Sequence, residues 1–224
     1  MKFLSVFFSV LFIYSCQSTS SSIEGHKQCS IVFQPFNGID SSITTAIFAY
    51  FNNHSSNPIF LLPESYLPEA AYVVEKNRYS ADSIISFLRK ESREGGWKVV
   101  GITIADIETT LEGKKHWGIM GLGYCPGSAA VISTRRLKKG NPSHGILINR
   151  TINVCLHEVG HNFSLPHCNT KTCVMVAANG ALPADSVGRF CSNCLQTLHQ
   201  NGWKYRQPPT TYSQHTENKE KKTG

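Results

Sequence analysis

His157-Glu158-Val159-Gly160-His161-Asn162-Phe163-Ser164-Leu165-Pro166-His167-Cys168 is the stretch on which the reading of this chain turns. Residues four apart on a helix share a face, so His157 and His161 present two imidazoles to one small cation. Glu158 lies between them, within reach of a water on that cation. Pro166 cannot continue a helix and disfavours helical geometry in the residue before it. The helix is therefore expected to end soon after His161, with the chain turning near Ser164. His167 arrives after that turn and supplies a third nitrogen. Three protein nitrogens plus one open position are the arrangement of a catalytic zinc, whereas a structural zinc is closed by four protein ligands. A surface helix with scattered histidines would account for a bare H-E-x-x-H. It would not account for the third histidine behind a proline-marked turn.

Four cysteines follow. Cys191 and Cys194 form a C-x-x-C pair, and Cys168 and Cys173 a wider one. Four thiolates can close a tetrahedral zinc, which would tie the chain after the active helix to the C-terminal segment. His167 and Cys168 are adjacent, so two such sites would be joined through one peptide bond. Two disulfides are the alternative, and an oxidising compartment would favour them. Cys155 falls on the apolar side of the helix and reads as a small buried residue.

Residues 157–194 resemble the metzincin metallopeptidases, which carry H-E-x-x-H-x-x-G-x-x-H followed by a Met-turn. Among these the chain is similar to the archaemetzincins, whose motif continues with C-x4-C-x-M-x17-C-x-x-C. Cys168, Cys173, Met175, Cys191 and Cys194 stand for those residues here. The resemblance implies a zinc metallopeptidase of the α/β class: a compact metzincin-like catalytic domain with a mixed sheet, an active-site helix and a C-terminal four-cysteine zinc subsite. It implies a catalytic zinc on His157, His161 and His167, with Glu158 as the general base. It also implies a second, structural zinc on Cys168, Cys173, Cys191 and Cys194. Met175 becomes the Met-turn, a thioether packed beneath the metal without ligating it. Gly121, Leu122, Gly123, Tyr124 and Cys125 become an edge strand with which an extended peptide substrate pairs through its main chain. Read without the resemblance, those glycines make a hairpin and no more.

One position departs from the pattern. Ser164 stands where the family has a glycine in a left-handed turn. A non-glycine residue there costs about 1–2 kcal/mol. That is small beside the roughly 10–16 kcal/mol of apparent zinc binding in finger peptides. The metal site is expected to survive, with the placement of His167 its sensitive part. The alternative function follows from the same residue: a displaced His167 would leave a non-catalytic, zinc-stabilised module that binds peptides or envelope partners.

The rest of the chain reads as an alternation of strands and helices, which favours an α/β sandwich with a mixed sheet. Residues 30–36 and 58–62 read as strands. Asp40 can cap a helix carrying Ile43, Ala46, Ile47, Tyr50 and Phe51 on one face, and Ser80 or Asp82 can start another with Ala81, Ile84, Ile85 and Leu88 inward. Residues 99–107 are rich in β-branched side chains and read as one buried strand. Glycines at 118, 121, 123 and 127 permit bends and close backbone approach. The active helix is expected from His144 or Gly145, with Ile148, Ile152, Cys155, Leu156, Val159 and Phe163 packed under the sheet. A last helix is expected over 191–200, with Leu195 and Leu198 inward.

Lys2 and the apolar residues 3–14 suit a signal peptide and are too few to span a bilayer. Ile13-Tyr14-Ser15-Cys16 is similar to a bacterial lipobox, which would leave Cys16 as a lipidated first residue; a plain secretory signal is the alternative. The expected division is a lipoprotein-type signal over 1–15, a lipidated cysteine and tether over 16–27, the peptidase domain over 28–206 and a polar tail over 207–224. That places the protein in the bacterial cell envelope, anchored to a membrane through lipid on its periplasmic or surface side. The formal net charge is +7. Much of it lies in the tail and in Arg135, Arg136, Lys138 and Lys139, with no interleaved aromatics. A solvated loop fits that patch better than a nucleic-acid surface. The expected partner is a peptide or protein substrate, not nucleic acid, and the expected state is a monomer. Of the histidines outside the motif, only His116 is placed to meet substrate.

Overall fold

Alternation along β1 (Ser30–Pro35) sets the layering. Ile31 and Phe33 face one side, Val32 faces the other, and all three are fully buried. A strand buried on both faces must be covered on both. The Ile31 side is covered by α1 (Ser41–His54), α3 (His144–Asn162) and α4 (Ser192–Gln200), the Val32 side by α2 (Ala81–Glu91). The computed structural model describes residues 29–92, 96–178 and 188–208. The expected signal peptide, the expected lipidation site Cys16, the expected tether and residues 209–224 lie outside them. No described helix is long and apolar enough to cross a membrane.

The main sheet has five strands in the order β2-β1-β5-β9-β8. β2 (Ile59–Leu61), β1, β5 (Trp97–Thr103) and β9 (Ala129–Ser133) run parallel, and β8 (Gly121–Gly123) closes one edge antiparallel to β9. A second sheet of four strands holds β3 (Tyr72–Val73), β4 (Arg78–Ser80), β6 (Ile107–Leu111) and β7 (Lys114–Ile119) in the order β3-β4-β6-β7.

The helices begin where polar caps stand. The Asp40 carboxylate accepts from Ser42 N at 2.9 Å, and the Ser80 hydroxyl accepts from Ser83 N at 3.2 Å. Each satisfies a first-turn N–H that has no partner within the helix. The expected mixed sheet is present, with a second mixed sheet beside it. One expectation needs correction: residues 99–107 are not one strand. Thr103 Oγ1 accepts from Ala105 N at 3.1 Å and bends the chain there. Asp106 then takes Arg78 Nε and Arg136 Nε, each at 2.8 Å, so the segment leaves the main sheet and Ile107 opens β6 in the other.

The C-terminal segment is pinned by Trp203. Its ring stacks on Phe51 at 5.8 Å and on Phe163 at 5.3 Å, and its indole N–H donates to Ser55 Oγ at 3.2 Å. Phe163 directly follows α3, so this cluster holds the end of the active helix against α1. Trp203→Ala should cost about 3–5 kcal/mol of stability. Guanidinium unfolding at fixed zinc concentration measures it, and a loss below about 1 kcal/mol would show that the cluster is not a keystone of the core.

Candidate active site

α3 starts at its cap, Ser143, and is buried almost all round over its last three turns. His157 and His161 project from it with their Nε2 atoms 3.1 Å apart. The helix then closes in a Schellman motif: Leu165 N donates to Gly160 O at 3.0 Å and Ser164 N to His161 O at 2.9 Å. Ser164 occupies the left-handed position of that motif, with φ 69°. The serine therefore adopts the conformation a glycine would, and His167 is brought in rather than displaced. Ring centroids of His167 lie 5.3 Å from His157 and 4.9 Å from His161. One nitrogen from each of the three rings falls within 4.8 Å of the others.

The two helical imidazoles are oriented by main-chain carbonyls. His157 Nδ1 donates to Val174 O and His161 Nδ1 to Leu165 O, both at 2.7 Å. A ring N–H held this way leaves Nε2 as the lone-pair nitrogen, the tautomer a metal ligand needs. Burial, aided by the neighbouring rings, pushes His157 down to about 4; burial also lowers His161. Both stay neutral near pH 7. Two facing lone pairs 3.1 Å apart repel unless a cation lies between them, so this donor set fits zinc.

Glu158 is buried on the same helix, and burial raises its pKa to about 8, with the Gly123 N–H holding the carboxylate back. The strand above it is β8. A Cβ on Gly121 would lie 2.7 Å from Glu158 Oε1. The glycine is thus required by the approach of the strand to the carboxylate. The expected edge strand over Gly121, Leu122, Gly123, Tyr124 and Cys125 is shorter than read. It ends at Gly123, because the Tyr124 carbonyl is taken by Asn162 Nδ2 and the Tyr124 hydroxyl by Asp82.

The second cluster is joined to the first where Cys168 follows His167. Sulfurs of Cys168, Cys173, Cys191 and Cys194 also fall within 4.8 Å of one another, and all four cysteines are free thiols. Cys168 and Cys191 are 3.8 Å apart, which is not a disulfide. Fifteen residues separate Met175 from Cys191, two fewer than the seventeen in the archaemetzincin pattern, yet the sulfurs converge. Met175 is fully buried, and a Cβ on Gly160 would lie 2.5 Å from its Sδ. Cys155 is fully buried as expected, its thiol pushed up by burial. His116 lies on the second sheet, where its Nδ1 pairs with Glu108 Oε1 at 2.7 Å.

The sequence model of Peptidase family M54 matches residues 36–200. The chain belongs to peptidase family M54, the archaemetzincins. The archaemetzincin of Methanopyrus kandleri is 28% identical over 176 residues, covering 78% of this chain and 97% of the relative. That of Saccharolobus solfataricus is 30% identical over 147 residues, covering 63% and 77%. The crystal structure of the Methanopyrus kandleri archaemetzincin superposes with a TM-score of 0.66 at 26% identity, covering 80% of this chain and 98% of the other. That of the Archaeoglobus fulgidus archaemetzincin with malonate, at 23% identity and TM-score 0.64, shares the fold over 75% of this chain and 99% of the other. As an archaemetzincin the chain is a zinc metallopeptidase, and its substrates are peptides or proteins.

The motif reading did not reach four features of this M54 site. The carbonyls of Val174 and Leu165 carry no side-chain signature. Gly160 sits at a variable place of H-E-x-x-H, and only the contact with Met175 shows why it is small. Asn162 reads as a polar surface residue but is buried. Ser164→Gly should raise stability by about 1 kcal/mol, the left-handed cost less the greater freedom of unfolded glycine, with zinc retained. Thermal unfolding compared at equal zinc content measures it, and a destabilised glycine variant would mean that the serine side chain itself holds the turn.

Proposed function

We propose that this chain hydrolyses peptide bonds with His157, His161 and His167 holding the catalytic zinc and Glu158 moving the protons. The observation that carries the reading is the meeting, at one end of α3, of three imidazole nitrogens within 4.8 Å and the buried carboxylate of the residue between two of them. A zinc ion held there supplies Lewis acidity, which acidifies water and polarises a carbonyl. Glu158 takes the proton of the attacking water and returns it to the leaving amine. A carboxyl whose pKa lies near the operating pH can do both, and burial raises that of Glu158 to about 8. The Gly123 N–H fixes the carboxylate. An extended substrate lies along the outer edge of β8 and pairs through its main chain, since β8 is the last strand of its sheet and β9 takes only one of its edges. Cys168, Cys173, Cys191 and Cys194 hold a second, structural zinc that fixes the segment carrying Val174 and Met175.

Glu158→Gln should keep both zinc ions and lose on the order of 10²–10⁴-fold in hydrolysis. Metal analysis beside turnover of a peptide library reads both, and undiminished turnover would remove Glu158 from the role.

The lipobox-like run supports a lipid anchor on Cys16 and a place in the bacterial cell envelope. The full chain should then partition into the detergent-rich phase of Triton X-114, and Cys16→Ser should move it to the aqueous phase. A variant that stays with detergent would leave the anchor without support.

A further inference from the structure

We propose that Asn162 is a positioning residue, whose side-chain amide clamps both ends of the loop between β8 and β9 and so holds the edge strand over Glu158. The inference rests on the reading of β8 and Glu158 given above.

Asn162 is the last residue of α3 and is 1% exposed. Its Nδ2 donates to Tyr124 O at 3.1 Å and to Ala129 O at 3.1 Å. The first carbonyl lies just past β8 and the second opens β9. A primary amide nitrogen has two hydrogens, and both are spent on this loop. The partners are carbonyl oxygens, which only accept, so the nitrogen and not the oxygen of the amide faces them. The main chain of Asn162 adds a third tie, its carbonyl accepting from Gly127 N at 3.4 Å.

The loop is shaped around this amide. A Cβ on Gly127 would lie 2.6 Å from Nδ2, and one on Gly123 would lie 2.6 Å from the Glu158 carbonyl oxygen. Lys98 Nζ, on β5, holds the Gly127 carbonyl at 2.6 Å from the other side. β8 has only three residues and a single paired edge, so few of its own hydrogen bonds fix its height above α3. The clamp supplies that fix one helical turn beyond Glu158. No apolar side chain can replace it. Aspartate keeps the shape but has no hydrogen to give and sets a charge against two carbonyls. Glutamine is one methylene too long.

The test compares Asn162→Asp, Asn162→Ala and Gly127→Ala with the wild type. Gly127→Ala lies outside the helix and pushes its methyl onto Nδ2 and onto the Tyr124 carbonyl that Nδ2 holds, so it probes the clamp even where the helix variants do not fold. Zinc content, amide exchange over residues 121–127, and kcat and KM are measured on an extended peptide and on a dipeptide-sized substrate. The expected result is full zinc, faster exchange over 121–127, and kcat/KM on the extended peptide lower on the order of 10²-fold. The short substrate, with little main chain to pair, should lose less. Unchanged exchange with unchanged kcat/KM overturns the proposal. Equal loss on both substrates together with lost zinc also overturns it, because that is the mark of a merely structural residue. If the wild type cleaves neither substrate, the functional reading fails by itself, and the exchange over 121–127 still decides the clamp.

Discussion

Two main-chain carbonyls decide which nitrogen of each helical histidine is free. Val174 O and Leu165 O take the Nδ1 hydrogens of His157 and His161, and everything asked of the imidazoles follows from that choice. Neither carbonyl belongs to the helix. Leu165 O is set by the turn that closes α3, and Val174 is set by the segment after Cys173, where its own N–H donates to Arg189 O at 2.7 Å. The tautomers therefore depend on structure built beyond the helix, His161 on the turn that closes it and His157 on a segment past the motif. His167 and Cys168 are neighbours, and so are Cys173 and Val174. The cysteine cluster is thus joined to the histidine cluster at two places, once through a ligand and once through a carbonyl that orients one. Cys168 N donates to Met175 O at 2.9 Å and ties those two stretches of chain to each other. Loss of order at the cysteines would release the third histidine and the His157 acceptor together.

The same turn shows how the chain tolerates an unfavoured residue. Ser164 at φ 69° costs about 1–2 kcal/mol. Two Schellman hydrogen bonds close around it, the flanking Phe163 and Leu165 are buried, and Leu165 O holds His161. With neighbours fixed on both sides, the serine has no other conformation to relax into that keeps them packed. The cost is therefore carried as a small loss of stability, and His167 stays in place.

What could be read from the sequence was whatever repeats at a fixed spacing. The ligand set, the caps at Asp40 and Ser80, and the strands β1 and β2 show in residue type and interval because helix and strand periods put them there. The strand over 99–107 failed because β-branched composition says nothing of a side chain bending its own backbone, which is what Thr103 does. Tyr124 and Cys125 fell outside β8 because the Tyr124 carbonyl is claimed by a residue 38 positions away. Asn162 was invisible for a related reason. Polar residues mark the outer face of a helix only when it has an outer face, and the end of α3 has almost none. Between Thr151 and Asn162 every described residue but Asn153 and His157 is buried, so a buried amide looks like a surface residue in the sequence.

That enclosure also acts on the charges of the acid and the imidazole. Removing groups from water disfavours whichever form is ionised. The carboxyl of Glu158 is driven up and the ring of His157 down by this one cause, so both move toward neutrality as the helix packs against β8. Gly121 and Gly123 keep this from going too far. They let the strand approach until a main-chain N–H reaches the carboxylate, and that bond favours the charged form. A methyl at position 121 would instead push the strand off Glu158, leaving the carboxyl to burial alone. The glycines of β8 and the packing of α3 thus pull in opposite directions on the same proton, and the distance between strand and helix is the quantity that balances them.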